Sequence, residues 1–157
     1  MSTTETLSRQ SRESQDSRPS VRPAKQPLIW AVVAAALAVG VAVVHVMDQG
    51  GVTALAAPPQ WLGWAYRLLE VGAIAVALGL VSRIAERFSW WCALLVGVGP
   101  FVGYVLSRTV GLPGDSDDKG NWSEPKGIAS LIIEALLIVV AVRSIRSLRS
   151  AGSADPS

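Results

Sequence analysis

The sequence predicts an all-α protein, a bundle of four transmembrane helices with a disordered polar N-terminal tail. Half of the 157 residues are hydrophobic, they are gathered in four long stretches, and the basic residues lie outside those stretches in an uneven pattern. A bilayer core is about 30 Å thick and a helix rises about 1.5 Å per residue, so about 20 mostly apolar residues cross it. Because lipid offers no hydrogen bonds to the backbone, each stretch is expected to be helical.

The elements follow in order along the chain. Residues 1–27 are rich in Ser, Thr and Arg. They carry too little apolar surface to offset the entropy of ordering, so we expect a disordered tail there. The transmembrane domain is predicted over residues 28–147, followed by a second disordered tail over 148–157. The four spans are predicted at about 28–47, 63–82, 90–110 and 124–142.

Local signals support these boundaries. Pro100 lies inside the third span, where it removes one helical hydrogen bond and is expected to bend the helix. The pattern Gly99-x-x-x-Gly103 favours close contact with another helix, either within the bundle or of a second copy. Tryptophans prefer the headgroup region, and they stand near the predicted span ends at positions Trp30, Trp61, Trp64, Trp90 and Trp91.

The basic residues predict the orientation. Ten Lys and Arg residues lie in the N-terminal tail, between the second and third spans, and after the fourth span. Only Lys119 and Lys126 lie in the other two connections. The positive-inside rule then predicts a plasma-membrane protein with both termini in the cytoplasm. Because the charges sort by topology, the pI near 9.0 is not read as a sign of nucleic-acid binding.

A cleaved signal peptide is the alternative for the N-terminal region. Ala54-Leu55-Ala56 resembles a cleavage site, and basic residues precede the first apolar stretch. A signal-peptide core is usually about 7–15 residues long, which is shorter than the stretch over 28–47. We therefore expect this stretch to remain as a transmembrane helix.

Polar residues inside the spans are the candidate functional site. Glu134 lies eight residues before Val142, about 12 Å inside the membrane boundary. A carboxylate at that depth costs several kcal/mol unless it is protonated, paired or hydrated, so it should face the bundle interior. Seven other residues are predicted to converge with it on a pocket open to the outside: His45, Asp48, Arg67, Glu70, Tyr104, Arg108 and Ser130.

Two interpretations of this polar cluster stay open. In one, Arg67, Arg108 and His45 donate to the carboxylates and simply fix how the helices pack. In the other, the cluster binds a ligand or handles protons, because intramembrane acids are functional candidates by default. No metal or cofactor is expected, since the chain has one His and one Cys, Cys92, and the acids at 115–118 lack the spacing of a calcium loop.

The segment from Tyr104 to Val142 resembles a stretch of uncharacterised small four-span integral membrane proteins of actinobacteria. The shared features are Ser-Arg-Thr-x-Gly-Leu-Pro-Gly, then a Trp, a Glu-Pro pair and Gly-x-x-Ser-Leu-x-x-Glu. The matching positions here are Ser107, Arg108, Thr109, Gly111, Leu112, Pro113, Gly114, Trp122, Glu124, Pro125, Gly127, Ser130, Leu131 and Glu134. Lys126 departs from the pattern, where an apolar residue is usual. The resemblance implies four spans and importance for Arg108 and Glu134, and it implies no reaction.

These observations favour an accessory or partner-binding membrane protein. Its expected partners are the lipid bilayer and either another membrane protein or a second copy of the chain. The alternative is a small solute or proton-coupled transporter that uses Glu134 and Glu70, although four helices are few for a carrier. A membrane enzyme or redox subunit ranks third, because the sequence contains no nucleophile–base pattern, phosphate loop or zinc-protease motif.

Overall fold

A computed structural model describes residues 26–51 and 59–153. In these residues the chain forms four α-helices and no strand. They are α1 (Leu28–Asp48), α2 (Gln60–Ser82), α3 (Glu86–Thr109) and α4 (Pro125–Ser153). Each contains a stretch that is long and apolar enough to cross a membrane. The predicted four-transmembrane-helix bundle is confirmed.

The helices run alternately up and down around the bundle. Helix α1 packs against α2 and α4, and α3 packs against α4 and α2. Across the bundle α1 also contacts α3, whereas α2 and α4 do not meet. Only three residues separate α2 from α3, and two of them, Arg83 and Ala85, adopt left-handed backbone conformations that reverse the chain. Consecutive helices are therefore antiparallel neighbours.

Small residues fill the interior and large apolar residues cover the outside. The buried face of α1 is mostly alanine, while Leu68 on α2 is 75% exposed and Val139 on α4 is also exposed. Between membrane helices, small side chains let the backbones approach closely. One such close approach is at Gly97 of α3, where an added Cβ would lie 2.9 Å from the Ile138 side chain of α4.

The predicted contact through Gly99 and Gly103 is not made within the described bundle. No heavy atom lies within 4 Å of a Cβ placed on either glycine. The glycine that meets another helix is Gly97, on a different face of α3. Helix α3 runs without interruption through Pro100.

The fourth helix is longer than the sequence predicts. It has 29 residues, about 43 Å at 1.5 Å per residue, and it reaches Ser153 rather than residue 142. Its last turns are amphipathic, and Ser144, Ile145 and Leu148 are buried against the other helices. Residues 148–153, predicted as tail, are therefore helical.

Most of the predicted N-terminal tail, the end of the C-terminal tail (154–157) and Ala54-Leu55-Ala56 lie outside the described residues. Gln26 is described, and it is part of the bundle. Its Nε2 donates to the Ser144 carbonyl oxygen at 3.0 Å, and its backbone N–H donates to Glu86 Oε1 at 3.1 Å. Arg83 Nη2 in turn donates to the Gln26 carbonyl oxygen at 2.6 Å. Ordered structure thus begins before Leu28, and both ends of the described chain lie at the same end of the bundle.

Candidate functional site: a polar cavity among the four helices

The opposite end of the bundle carries the 49–59 and 110–124 connections, and we call it the loop end. A cavity of about 110 Å³ penetrates the bundle from there. Side chains from all four helices and from the 110–124 loop line it. At its mouth, Asp48, Asp118 and Lys126 are partly exposed. The cavity is therefore reached from the loop end.

Glu134 forms the deepest polar part of this cavity. It is 1% exposed. Ser130, one turn earlier on the same face of α4, donates its hydroxyl to Glu134 Oε1 at 2.5 Å. Glu134 Oε2 is buried and has no hydrogen-bond partner among the described residues. One carboxyl oxygen is thus free to bind a group in the cavity.

His45 faces Glu134 from α1. Its Nδ1 lies 2.9 Å from the Val41 carbonyl oxygen, and its Nε2 lies 3.9 Å from Glu134 Oε1. Because a carbonyl oxygen only accepts, Nδ1 carries a hydrogen and Nε2 is the nitrogen directed at the carboxyl group. Tyr66 on α2 packs edge-on against the imidazole, with 5.3 Å between the ring centroids.

Arg108 closes the opposite wall of the cavity and is 5% exposed. Its Nη1 lies 2.5 Å from Asp118 Oδ2, and its Nη2 donates to Glu124 Oε2 at 2.6 Å. Its guanidinium carbon stands over the Tyr104 ring, 4.6 Å from the centroid. Two loop carboxylates therefore neutralise the one Arg in the cavity, and a charged group is shielded by an aromatic face.

These contacts also hold the 110–124 loop on the bundle. The Gly120 N–H donates to the Arg108 carbonyl oxygen at 2.9 Å, and Leu112 and Asp115 exchange backbone hydrogen bonds of 2.8 and 2.9 Å. Trp61 Nε1 on α2 donates to the Pro113 carbonyl oxygen at 3.0 Å. The loop thus forms a fixed wall of the cavity, tied to both α2 and α3.

Six of the eight residues predicted for the site line this cavity, namely His45, Asp48, Tyr104, Arg108, Ser130 and Glu134. Arg67 and Glu70 do not. Arg67 Nη1 donates to Glu70 Oε2 at 2.6 Å, and Gln49 Nε2 donates to Glu70 Oε1 at 2.5 Å. Glu70 borders a separate apolar groove between α1 and α2. Arg67 and Glu70 are one turn apart on α2, and they pair with each other there instead of joining the cavity cluster.

Sequence reasoning missed several residues of the cavity. Asp118 was considered only as one of the acids at 115–118 that lack calcium-loop spacing, and Glu124 only as part of a motif without a stated partner. The signal that could have found them is Arg108 itself, because an Arg near the end of a span needs carboxylates close by. The other polar lining residues that it missed are Tyr66, Ser107, Asp115 and Lys126. Lys126 Nζ lies 3.9 Å from Asp48 Oδ1.

The cavity carries an excess of acidic groups. Five carboxyl side chains line it, and they are Asp48, Asp115, Asp118, Glu124 and Glu134. The permanently charged bases that line it are Arg108 and Lys126. No group of three or more His, Cys, Asp or Glu residues suited to a metal ion occurs in ranges 26–51 and 59–153.

Fold and cavity together define a four-helix, multi-pass membrane protein with a polar site inside its bundle. Comparison of the chain with known protein families, with curated proteins and with solved structures finds no match in any of the three. The residues of the cavity are therefore the basis for assigning a function.

Proposed function

We propose that this chain is an accessory protein of the plasma membrane, with both termini in the cytoplasm, that binds a small monovalent cation in the polar cavity from outside. The observation that carries the proposal is the excess of five carboxyl groups over two permanent cations in a cavity with an unpartnered, buried carboxyl oxygen. The cation is either an alkali ion or a small protonated amine, since both present one positive charge of limited size.

The orientation rests on the distribution of charge. Ten basic residues belong to the N-terminal segment, to the turn between α2 and α3 with the start of α3, and to the last turns of α4. Two, Lys119 and Lys126, belong to the 110–124 loop and the first turn of α4 at the loop end. Such a bias favours a cytoplasmic location for the basic end of the bundle. The loop end, and with it the mouth of the cavity, then faces the outside.

The preference for a cation rests on the carboxyl groups of the cavity that Arg108 does not neutralise. Its charge is matched by Asp118 and Glu124 at contact distance. Lys126 is exposed and stands 3.9 Å from Asp48. Among the described residues, the carboxyl groups of Asp115 and Glu134 have no Lys or Arg assigned to them, and the base near Glu134 is His45. A small cation would reduce this excess of negative charge by one, and the Tyr66 ring adds an aromatic wall of the kind that cations favour.

The resemblance to small four-span actinobacterial proteins supports the same site, and we propose membership of that group. Several residues of the shared pattern line the cavity together, namely Ser107, Arg108, Leu112, Glu124, Gly127, Ser130 and Glu134. The shared pattern extends over the end of α3, the 110–124 loop and the start of α4, and its residues thus line the same cavity.

A transporter that uses Glu134 and Glu70 is the second candidate. The depth of Glu134 favours it. Against it, Glu70 is paired with Arg67 away from the cavity. Beyond Glu134, the next residues on the same face of α4, Leu137 and Ala141, are fully buried. Access from one end alone fits a binding site better than a pathway.

The test is stabilisation by cations. The protein in mild detergent is heated with Na⁺, K⁺ or methylammonium chloride, with N-methyl-D-glucamine chloride keeping the ionic strength constant. We expect at least one small cation to raise the midpoint of unfolding in a saturable way, because a ligand at 100 times its Kd stabilises by about 2.7 kcal/mol. The large glucamine cation should have no such effect.

Two variants make this test specific. Glu134→Gln removes the carboxylate from the cavity and should abolish the saturable rise. Asp117→Asn removes an equal charge from an exposed position in the 110–124 loop, outside the cavity lining, and should keep the saturable rise. The proposal fails if no small cation stabilises the protein, or if both variants respond alike.

A further inference from the structure

We propose that His45 and Glu134 share one proton and that a cation entering the cavity displaces it, so that binding is an exchange of a cation for a proton. The exchange rests on the proposed function, because it needs a cation that binds. It adds a second ligand to the site, the proton, and names the two residues that hold it.

The first step is the isolation of Glu134 from permanent positive charge. The described residues include no Lys or Arg within 4.0 Å of its carboxyl group, and the base that approaches it is His45. A lone carboxylate in the interior of a membrane protein costs several kcal/mol. A proton on the pair, or a cation beside it, removes that cost.

The second step is the hydrogen-bond arrangement of the imidazole. Nδ1 already gives its hydrogen to Val41, so Nε2 either accepts a proton from the Glu134 carboxyl group or donates one to it. Both arrangements contain a single proton between the two side chains. The Nε2–Oε1 distance of 3.9 Å is too long for a direct hydrogen bond and suits a bridging water.

The third step is the set of charged and titratable groups around this pair. On α1 the neighbour is Asp48, and on α2 it is Tyr66. Helix α3 brings Tyr104 and Arg108, and the guanidinium is held by its two loop carboxylates. The loop acids line the mouth with Lys126 of α4, and Lys126 lies beside Asp48. The two fixed positive charges of the cavity, Arg108 and Lys126, are thus paired with other carboxylates. The positive charge that remains for His45 and Glu134 is a proton.

The fourth step is the route. The cavity opens at the loop end, while the face of α4 beyond Glu134 is closed by fully buried Leu137 and Ala141. A displaced proton therefore leaves through the mouth by which the cation enters. The O–H or N–H bond of the pair breaks, the proton passes to water, and the cation replaces it as the counter-charge of the carboxylate. The net charge of the site is unchanged.

The experiment measures protons released when the cation binds. The protein in detergent, in weakly buffered solution with a pH-indicator dye, is mixed with the cation that stabilised it most, and with N-methyl-D-glucamine as the blank. We expect release of about one proton per protein at saturation, half-complete at the cation concentration that gives half of the thermal stabilisation. Asp117→Asn should release as much, and Glu134→Gln none.

Reaction with dicyclohexylcarbodiimide provides a second readout, because this apolar reagent modifies protonated carboxyl groups. Mass mapping should find Glu134 modified, with less modification when the cation is present. Glu70, which is ion-paired with Arg67, is the control within the same molecule and should stay unmodified.

The outcomes separate the two proposals. Stabilisation by a cation without proton release, or with Glu134 unreactive throughout, overturns the exchange and leaves cation binding in place. Absence of any stabilisation overturns the proposed function and the exchange with it. Release that persists in Glu134→Gln also overturns the exchange, since the proton then comes from another group.

Discussion

At the scale of single residues, the packing of α3 on α4 depends on the missing side chain at Gly97. A Cβ there would lie 2.9 Å from Ile138 Cγ1 and 3.2 Å from the backbone oxygen of Glu134. The Ile138 side chain can turn away, but the backbone of α4 cannot move without shifting Glu134. This contact therefore links helix packing to the position of the cavity carboxylate.

Gly97→Ala is expected to destabilise the bundle by about 1–3 kcal/mol, the usual cost of overpacking. Gly99→Ala is the matched control, because it lies two residues away on the same helix with no heavy atom within 4 Å of its Cβ position. That change should be neutral or slightly stabilising, since Ala favours a helix more than Gly does. Unfolding of both variants in mixed micelles with increasing SDS measures the difference. Equal stability of the two would show that α3 and α4 are not packed as described.

The sequence predicted the position of a residue correctly where the chemistry of its side chain allowed only one environment. Glu134 had to face the interior because no lipid-facing position accepts a carboxylate, and it does. Two environments were possible for Glu70, a pair with Arg67 one turn away or a place in the shared pocket. Helical periodicity does not distinguish between them. The acids that pair with Arg108 come from a loop whose path has no periodicity at all, so their approach could not be predicted from spacing.

At the scale of elements, the 110–124 loop takes two of its contacts with the helices from a single side chain, that of Arg108 on α3. Arg108 binds Asp118 and Glu124, and its carbonyl oxygen accepts from the Gly120 N–H. The bond from Arg108 Nη2 to Glu124 is a hydrogen bond between charged groups, which is worth about 1.5–3 kcal/mol, and Asp118 adds an ion pair. Loss of this side chain should therefore free the loop more than it disturbs the helices.

Arg108→Gln is expected to accelerate tryptic cleavage after Lys119, an exposed residue of this loop, at least about tenfold. The rate follows the population of the opened loop, and about 1.4 kcal/mol corresponds to a factor of ten. Lys126→Gln removes the same charge from the cavity mouth, but its contacts go to Asp48 and Met47 of α1, so cleavage should stay near the wild-type rate. Digestion in detergent followed by mass spectrometry gives both rates. Similar acceleration in both variants would contradict a loop fixed by Arg108.

The helices themselves were predictable because long apolar stretches leave the backbone no other form in lipid. The end of α4 could not be predicted in this way, because its last turns, after the apolar stretch ends, alternate buried and basic residues. There the Arg143 guanidinium lies 5.0 Å from the Trp30 ring centroid and that of Arg149 lies 5.2 Å from the Trp91 centroid. Such cation–aromatic contacts between helices continue the helix past the hydrophobic span, and hydropathy does not register them.

At the scale of the whole molecule, the two ends of the described chain and the cavity mouth lie at opposite ends of the bundle. Gln26 and Ser144 are hydrogen-bonded at one end, and Asp48 and Lys126 meet at the other. If the basic end faces the cytoplasm, the cavity is open only to the outside. The proposed site thus depends on the orientation of the protein in its membrane.

Cysteine accessibility tests this orientation. In a Cys92→Ala background, Asp117→Cys places a thiol on the exposed loop and Ser150→Cys places one on the exposed last turns of α4. A membrane-impermeant maleimide should label the first variant in intact cells and the second only after the cells are permeabilised. The reverse pattern would invert the topology, and labelling of both in intact cells would contradict a bundle whose loop end and α4 end lie on opposite sides of the membrane.

The bonds of Gln26 set a limit on how the chain can be shortened or tagged. Its side chain and both of its backbone polar groups are engaged with α3, α4 and the turn before α3. A truncation that starts at Leu28, the first helical residue, would delete the hydrogen bonds that join the segment before α1 to α3, to α4 and to the turn before α3. Fusion partners and protease sites for purification therefore belong upstream of residue 26, where they leave those hydrogen bonds intact.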